Sequence, residues 1–192
     1  MATPSIERAH EARNIDPPQR PRGLRGIVEP QNYGRPLSYR PPAAGHRRVN
    51  NTLGVFLTSL GFAPRDAVTL AVRGRRSGEM RRIPILRTLY RGDAYLVSLA
   101  GESEWVRNVR AAEGLATIRR RTKRPVRLVE VPLIDRAEIL YEYYVQGVRR
   151  SGAEAGEKQA RYNFGLEPNP SLEDFRKIAS RYPVFRITEE PA

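Results

Sequence analysis

The 192-residue chain contains no cysteine and only two histidines, His10 and His46. The absence of cysteine excludes disulfides, thiolate metal sites, iron–sulfur clusters and cysteine nucleophiles. Both histidines lie in or beside an N-terminal Pro/Arg-rich segment, so a Ser-His-Asp triad or a His-rich metal site cannot be assembled in the usual way. We therefore predict no metal site. A chain with so few acid–base groups that still catalyses a reaction is expected to borrow a cofactor.

Long apolar runs are also missing. The uninterrupted apolar stretches, such as Tyr95-Leu96-Val97, span a few residues, whereas crossing a bilayer takes about 20. The first residues lack the apolar core of a secretory signal, which favours a cytoplasmic protein. Forty per cent of the residues are hydrophobic, which is enough for one core.

The positive charge is large and unevenly distributed. The net charge is +13, and only three of the 34 basic residues are lysines. Residues 73–127 carry 15 basic against five acidic residues, and residues 1–50 carry nine against four, whereas the rest of the chain carries ten against twelve. This pattern indicates an anionic partner, which could be nucleic acid, an anionic membrane surface or a small polyanionic ligand.

Composition divides the chain into two parts. Residues 1–46 are rich in Pro, Arg, Gly and Asn and contain few apolar side chains, which predicts an extended or disordered basic arm. Such an arm could contact a membrane or a partner subunit. Residues 47–192 are predicted to form a single domain that opens with an amphipathic helix over 47–60, ended by Gly61.

The middle of this domain reads as a series of short strands. The segments with β-type composition are 68–72, 83–90, 94–99, 115–119, 126–132 and, near the C-terminus, 184–187. Most of the connections are too short for helical crossovers, although residues 104–112 look helical. The expected fold is therefore mainly β, an antiparallel barrel with a few flanking helices.

The C-terminal third is predicted to be mostly helical. Asp135, with Glu138 three residues later, resembles a capping box, and Gly152 is a natural end for that helix. Residues 151–170 are polar and predict a mobile loop. Ser171 and Asp174 predict the start of a short helix over 172–180.

The most distinctive stretch is the basic segment 73–84, with the sequence R-G-R-R-S-G-E-M-R-R-I-P. Glycine allows a turn whose N–H groups point inward, and arginine presents a planar fork that fits phosphate or carboxylate oxygens in pairs. The segment therefore has the chemistry of an anion site. The alternative is a solvated hairpin loop.

A second informative segment contains the only tryptophan, Trp105, followed three residues later by Asn108. On a helix these positions share one face, so a flat ring and an amide would point the same way and could line a pocket for a planar ligand. In the alternative interpretation Trp105 fills the core and Asn108 faces solvent or caps a turn.

Together the two segments carry a resemblance. The order strand, G-R-R-S-G-x-x-R-R-x-P, strand, hairpin, strand, glycine-bearing loop, W-x-x-N-V-R-A, strand is similar to that of the deazaflavin-dependent nitroreductase family. The similarity covers about 47–132, with 182–187 resembling the closing strand. It implies a split β-barrel of the flavin-reductase and PNP-oxidase type that binds coenzyme F-420, an 8-hydroxy-5-deazaflavin.

The resemblance also implies a set of cofactor-binding residues. In the family, the basic and hydroxyl residues of the first motif hold the phosphate and the glutamate tail of the coenzyme. Carried over by position, with two neighbouring arginines, they are Arg75, Arg76, Ser77, Gly78, Arg81, Arg82 and Pro84. Trp105 and Asn108 are expected around the deazaflavin ring, with Gly101 in the preceding loop.

The implied activity is hydride transfer from reduced coenzyme F-420 to a small electrophile such as an enone, a quinone or a nitro compound. Family members often place tyrosines near the substrate, and Tyr143 and Tyr162 are candidates here, whereas core packing is favoured for Tyr141 and Tyr144. A homodimer is expected from the same resemblance. Two alternatives stay open: an FMN-binding oxidoreductase on the same barrel, and a nucleic-acid-binding barrel that uses the basic run 119–124.

Overall fold

A computed structural model describes residues 65–189 of the chain. The predictions for the basic arm over 1–46 and for the helix over 47–60 lie outside the described residues. Within 65–189, no helix is both long and apolar enough to cross a membrane.

Six antiparallel strands close into a barrel in the order β1-β2-β3-β6-β5-β4. The strands are β1 Ala67–Arg73, β2 Met80–Tyr90, β3 Asp93–Val97, β4 Leu115–Arg119, β5 Lys123–Glu130 and β6 Val184–Glu189. The sequence prediction of an antiparallel barrel with flanking helices is confirmed. It succeeds because short apolar runs are joined by turns such as Arg91-Gly92, where both residues adopt positive φ.

The barrel interior is filled by alternate residues of the strands. Val68, Leu70 and Val72 of β1 are buried in one cluster with residues of the other strands, as the two-residue period of a strand requires. Helix α1, Glu104–Ala111, adds Val106 and Val109 to the same cluster. Hydrogen bonds from Arg75 to Asn108 place this helix at the end of the barrel where β1 finishes and β2 begins.

A second apolar cluster joins the helices to the outer face of the sheet. Tyr95 and Val97 of β3 project outward into it, and Phe164 and Phe175 meet at its centre with ring centroids 4.9 Å apart. The helices are α2 Leu133–Ser151, α3 Ala153–Gln159 and α4 Leu172–Ile178, with a π-helical turn at Ala160–Phe164 and a 3-10 turn at Ala179–Arg181. The capping box predicted at Ser171 and Asp174 is present at the start of α4.

Two predictions in the C-terminal third are wrong. Helix α2 begins at Leu133, directly after Pro132, and Asp135 does not cap it; Glu138 instead accepts a hydrogen bond of 2.6 Å from the Tyr90 hydroxyl. Residues 151–170, predicted as a loop, contain α3 and the π-helical turn. They are ordered because Gly156 lets α3 approach Val148 closely and because Phe164 is buried.

The ends of two strands also differ from the prediction. Strand β2 begins at Met80 and not at Ile83, so Arg81 and Arg82 belong to the strand. Strand β5 occupies 123–130 and not 126–132, which places Pro125 inside it. The missing N–H of Pro125 is tolerated because, among the described residues, β6 pairs with β5 only from Val126 onward.

Candidate anion-binding site

The basic loop consists of residues 74–79 between β1 and β2, and its backbone holds its own shape. Gly74 N–H donates to the Glu79 carbonyl, and Gly78 N–H donates to the Gly74 carbonyl, both at 2.8 Å. Arg73 Nη1 donates to the Gly78 carbonyl at 3.1 Å. Gly78 has φ +70°, a left-handed conformation that favours glycine. The loop is therefore a defined turn that presents Arg76 and Ser77 to solvent.

The two arginines that follow the loop lie on opposite faces of β2, because successive strand residues alternate. Arg81 pairs with Val72, whose side chain is inside the barrel, and its Nη2 donates to Ser77 Oγ at 3.1 Å. Arg82 pairs with Ala71 on the other face. Pro84 shares that outer face with Arg82. The structure thus keeps Arg81 with the loop and separates Arg82 and Pro84 from it.

Asn108 ties the basic loop to helix α1. Its Oδ1 accepts the backbone N–H of Arg75 at 3.1 Å and Arg75 Nη1 at 3.2 Å. The Asn108 side chain is buried, so the alternative in which it faces solvent is wrong. The sequence predicts Asn108 beside the ligand, whereas this contact joins residues 33 positions apart in the chain and has no local sequence signal.

Glu104 provides a second link between the loop and α1. Arg75 Nη1 donates to Glu104 Oε2 at 2.6 Å, and Arg107 Nη1 lies 3.6 Å from Glu104 Oε1. The hydrogen bond from Arg75 lowers the pKa of Glu104 below its usual value, with smaller contributions from neighbouring positive charges. Arg75 is therefore already engaged by protein groups.

Trp105 lies one turn before Asn108 on the same helix, and it is half-buried. Its ring packs against Phe185 of β6 with centroids 5.4 Å apart. The residue is thus packed against the barrel cluster without being fully buried, and its contact with a ligand stays a prediction. Helix α1 contacts the basic loop through Asn108, and Trp105 is the aromatic residue of that helix.

The segment before α1 is held by two serines that the sequence analysis did not single out. Ser98 Oγ donates to the Gly101 carbonyl at 2.7 Å, and the Ser103 N–H donates to the same carbonyl at 2.7 Å. The two serine hydroxyls are 3.0 Å apart. Gly101 is buried with φ +64°, so its role here is to form the turn that leads into α1.

An ion-pair network fixes the other side of α1. Arg110 donates to Glu130 of β5 through Nε and Nη2, both at 2.8 Å, and to Glu102 through Nη2 at 3.0 Å. Arg136 of α2 donates to Glu130 at 3.0 Å. The hydrogen bond from Arg110 is the largest cause that lowers the pKa of Glu130. The network therefore connects α1, β5 and α2 around one carboxylate.

The lowered pKa of Glu130 predicts a pH dependence of stability. Because its pKa is lower in the folded than in the unfolded chain, ionised Glu130 stabilises the fold above the ordinary glutamate pKa, roughly 4.3. This stabilisation is lost as the pH falls through the folded-state pKa. We expect the free energy of unfolding to fall less steeply on acidification in Glu130→Gln than in the natural sequence. Urea unfolding between pH 7 and pH 3 measures this, and parallel curves would contradict it.

The tyrosine candidates lie away from these groups. Tyr143 is buried in the helical cluster, where its ring packs edge-on to Phe164 with centroids 6.2 Å apart, and burial raises its pKa to about 12. That environment favours a structural role over proton donation. Tyr162 is half-buried in the π-helical turn. Tyr144, for which core packing was predicted, is buried in the same cluster.

Most of the predicted cofactor-binding residues from the two sequence segments thus lie together in one constellation at the α1 end of the barrel. They are Arg75, Arg76, Ser77, Gly78, Arg81, Gly101, Trp105 and Asn108. Among residues 65–189, no group of three or more His, Asp or Glu side chains could hold a metal ion. Chemically, the constellation offers exposed guanidinium and hydroxyl donors beside a partly accessible indole.

The structure defines a class: a closed six-stranded antiparallel barrel with an exposed arginine loop clamped to a short helix. No family model and no curated protein matches the chain.

Among solved structures, an F-420-H2 dependent reductase is 21% identical with a TM-score of 0.35, the match covering 65% of this chain and 95% of the reductase. A chain described as a domain-swapped dimer is 16% identical (TM-score 0.43; 74% and 96% covered), and an FAD-binding protein from Mesorhizobium loti is 15% identical (TM-score 0.34; 71% and 89% covered).

Proposed function

We propose that the protein is an oxidoreductase that binds coenzyme F-420 at the basic loop and α1, and reduces a small electrophile such as an enone, a quinone or a nitro compound. One observation supports the proposal above the others. The two motif segments that carry the family resemblance are in direct contact, through the hydrogen bonds from Arg75 to Asn108. Segments that resemble two parts of one cofactor site therefore lie at one place in the fold.

The chemistry of the donors fits such a coenzyme. Arg76, Ser77 and Arg81 are exposed, and their guanidinium and hydroxyl groups suit a phosphate or the carboxylates of a glutamate tail. Trp105 offers a flat apolar surface for a ring system. When bound, the reduced coenzyme would supply the hydride. The protein's part is to hold the anionic tail on a loop that Asn108 and Glu104 have already positioned.

Arg75, predicted to bind the cofactor as a neighbour of the motif residues, has a different role in this proposal. Its guanidinium is shared between Glu104 and Asn108, so it positions the loop and contributes less to the anion directly. Arg82 and Pro84 lie on the outer face of β2, away from the loop, so any effect they have on coenzyme binding would be indirect, through the position of the strand. Arg76 and Arg81 therefore carry most of the anion binding.

Titration with two coenzymes tests the proposal. The purified full chain is titrated separately with coenzyme F-420 and with FMN, and binding is followed by fluorescence quenching. We expect 1:1 binding of F-420 with a clear preference over FMN. Oxidation of the reduced coenzyme, followed by absorbance with benzoquinone, 2-cyclohexenone or nitrobenzene present, then tests turnover. Absence of F-420 binding, or a preference for FMN, would contradict the proposal.

FMN is the second candidate cofactor, because its phosphate could use the same arginines. The discriminating feature is the number of negative charges, since a phosphate with a glutamylated tail would offer more anionic groups to Arg76 and Arg81 than a single phosphate would. The affinity for F-420 should therefore depend on salt more steeply than the affinity for FMN. Homodimer formation, cytoplasmic localisation and membrane contact through residues 1–46 stay predictions.

A further inference from the structure

The end of the barrel opposite the basic loop contains a recess of about 240 Å³. Four arginines line it: Arg87 from β2, and Arg120, Arg121 and Arg124 from the β4–β5 hairpin; we call these four residues the basic mouth. Val68 and Ile118 form its apolar floor. Strand β1 separates the two ends, and its six steps from Ala67 to Arg73 span about 20 Å. The recess is therefore distinct from the loop site.

The strand registers show how these arginines meet. Arg87 pairs with Leu96, and Arg124 pairs with Ile118; both partners are buried in the barrel interior. Directly opposed residues of antiparallel strands share a face, so Arg87 and Arg124 lie on the inward face of the sheet. Two guanidinium-bearing residues from different strands thus lie at one open end of the barrel, above an apolar floor.

The charge of the basic mouth is not compensated by the described part of the chain. Across residues 65–189, none of its four arginines is within 4.0 Å of a carboxylate, whereas in the other site Arg75 is paired with Glu104 and Arg81 with Glu79. Arg87 Nη2 donates to the Arg65 carbonyl at 3.4 Å, but Arg87 Nε is buried and has no hydrogen-bond partner within those residues. A buried charged donor without an acceptor is costly, so the position favours a ligand that supplies one.

We propose that the basic mouth binds a small organic anion, with a phosphate or carboxylate on the arginines and an apolar body on Val68 and Ile118. The concave shape and the apolar floor favour such a ligand over nucleic acid. Of the described residues that line the recess, none is aromatic, so bases would have no ring to stack on. The proposal does not depend on the identity of the coenzyme at the basic loop.

Three simple probes test the chemistry of the ligand. The full chain is titrated by calorimetry with 2-naphthyl phosphate, 2-naphthoate and 2-naphthol, which share an apolar body and differ in charge. We expect both anions to bind and neutral 2-naphthol to bind roughly tenfold or more weakly, because it lacks the charge-assisted hydrogen bonds. Equal affinity for all three probes would overturn the proposal.

The affinities of matched variants for 2-naphthyl phosphate show where on the protein the anion binds. The double variant Arg120→Ala/Arg124→Ala should lower the affinity for 2-naphthyl phosphate roughly tenfold or more, since two guanidinium donors are lost. The variant Arg149→Ala/Arg176→Ala removes the same charge from exposed positions on α2 and α4 and should change affinity less than about twofold. Arg76→Ala/Arg81→Ala should likewise leave this site intact.

The outcomes separate the two sites of the protein. If only Arg76→Ala/Arg81→Ala lowers the affinity for 2-naphthyl phosphate, the anion binds at the basic loop and the proposal is wrong. An oligothymidylate could instead bind more tightly than the naphthyl anions and lose that affinity in Arg120→Ala/Arg124→Ala. The basic mouth would then be a nucleic-acid surface, and the proposal would be equally wrong. Failure of F-420 binding leaves these results unaffected.

Discussion

Replacing Arg76, Ser77 and Arg81 together with alanine is expected to lower the affinity for coenzyme F-420 by roughly a hundredfold or more. Each hydrogen bond from a charged donor contributes about 1.5–3 kcal/mol, and two guanidinium groups and one hydroxyl are removed. Arg81 also loses its contact with Ser77 Oγ, so the variant abolishes the arrangement as well as the charge. Fluorescence titration against the unchanged protein measures the loss.

The same variant should remain folded. All three residues are exposed, and the Arg81–Glu79 ion pair joins two exposed side chains, a kind of contact that contributes little to stability. The shape of the loop depends on backbone hydrogen bonds at Gly74 and Gly78, which alanine at the other positions leaves in place. We expect the free energy of unfolding to change by less than about 1 kcal/mol.

The control for charge is Arg149→Ala/Arg176→Ala, which removes two arginines far from the loop in sequence and on other elements. It should bind F-420 as the natural sequence does. If the triple variant binds the coenzyme with unchanged affinity while remaining folded, the basic loop is not the anion site. A loss shared equally by the control would instead show a general effect of net charge.

The barrel could be predicted because its strands carry a local signal. In β1, buried Val68, Leu70 and Val72 recur every second residue, and β4 was predicted with its observed bounds. The opposite faces of Arg81 and Arg82 follow from the same two-residue period once β2 is known to begin at Met80. The early start of β2 was missed because exposed arginines resemble loop residues in a sequence.

The helical region was harder to predict because its stability comes from distant contacts. Residues 153–164 are polar and contain glycine, yet Gly156 fits against Val148, and Phe164 is buried among rings of α2 and α4. No local pattern reports such packing. Glu138 shows the same limitation, because the spacing that resembles a capping box instead places a carboxylate beside the Tyr90 hydroxyl.

The residues of the candidate site were predictable by type, but their division of work was not. Exposed Arg76 and Arg81 suit an anion, as the arginine-rich composition of segment 73–84 predicts, whereas Arg75 is held by Glu104 and Asn108. Arg81 is paired with Glu79 and Ser77 of the loop itself, so which arginine is held by α1 depends on where that helix lies against the loop. The basic mouth illustrates the same point, since Arg87 and Arg124 are 37 positions apart in the sequence and meet only when the barrel closes.

Asn108 is expected to control the site without providing charge. Asn108→Leu keeps the size of the side chain and removes the acceptor for two donors of Arg75, its N–H and its Nη1. Arg75 Nη1 keeps its hydrogen bond to Glu104 Oε2, but the partly buried Arg75 N–H loses its acceptor, which should cost about 1–3 kcal/mol in the free energy of unfolding. Coenzyme affinity should fall as well, because a loop that is no longer held against α1 must be ordered on binding.

Asn108→Asp is the matched control, because its carboxylate keeps an acceptor in place for both donors of Arg75. It adds a negative charge at a buried position four residues after Glu104, where the Arg75 guanidinium, whose Nη1 lies 3.2 Å from the side-chain oxygen, would compensate that charge. We therefore expect Asn108→Asp to retain most of the stability and of the coenzyme affinity that Asn108→Leu loses. Equal losses in the two variants would show that the amide N–H groups of Asn108 matter, as they would if Asn108 contacted the coenzyme ring directly. No loss in Asn108→Leu would mean that the loop keeps its position through Glu104 and its own backbone.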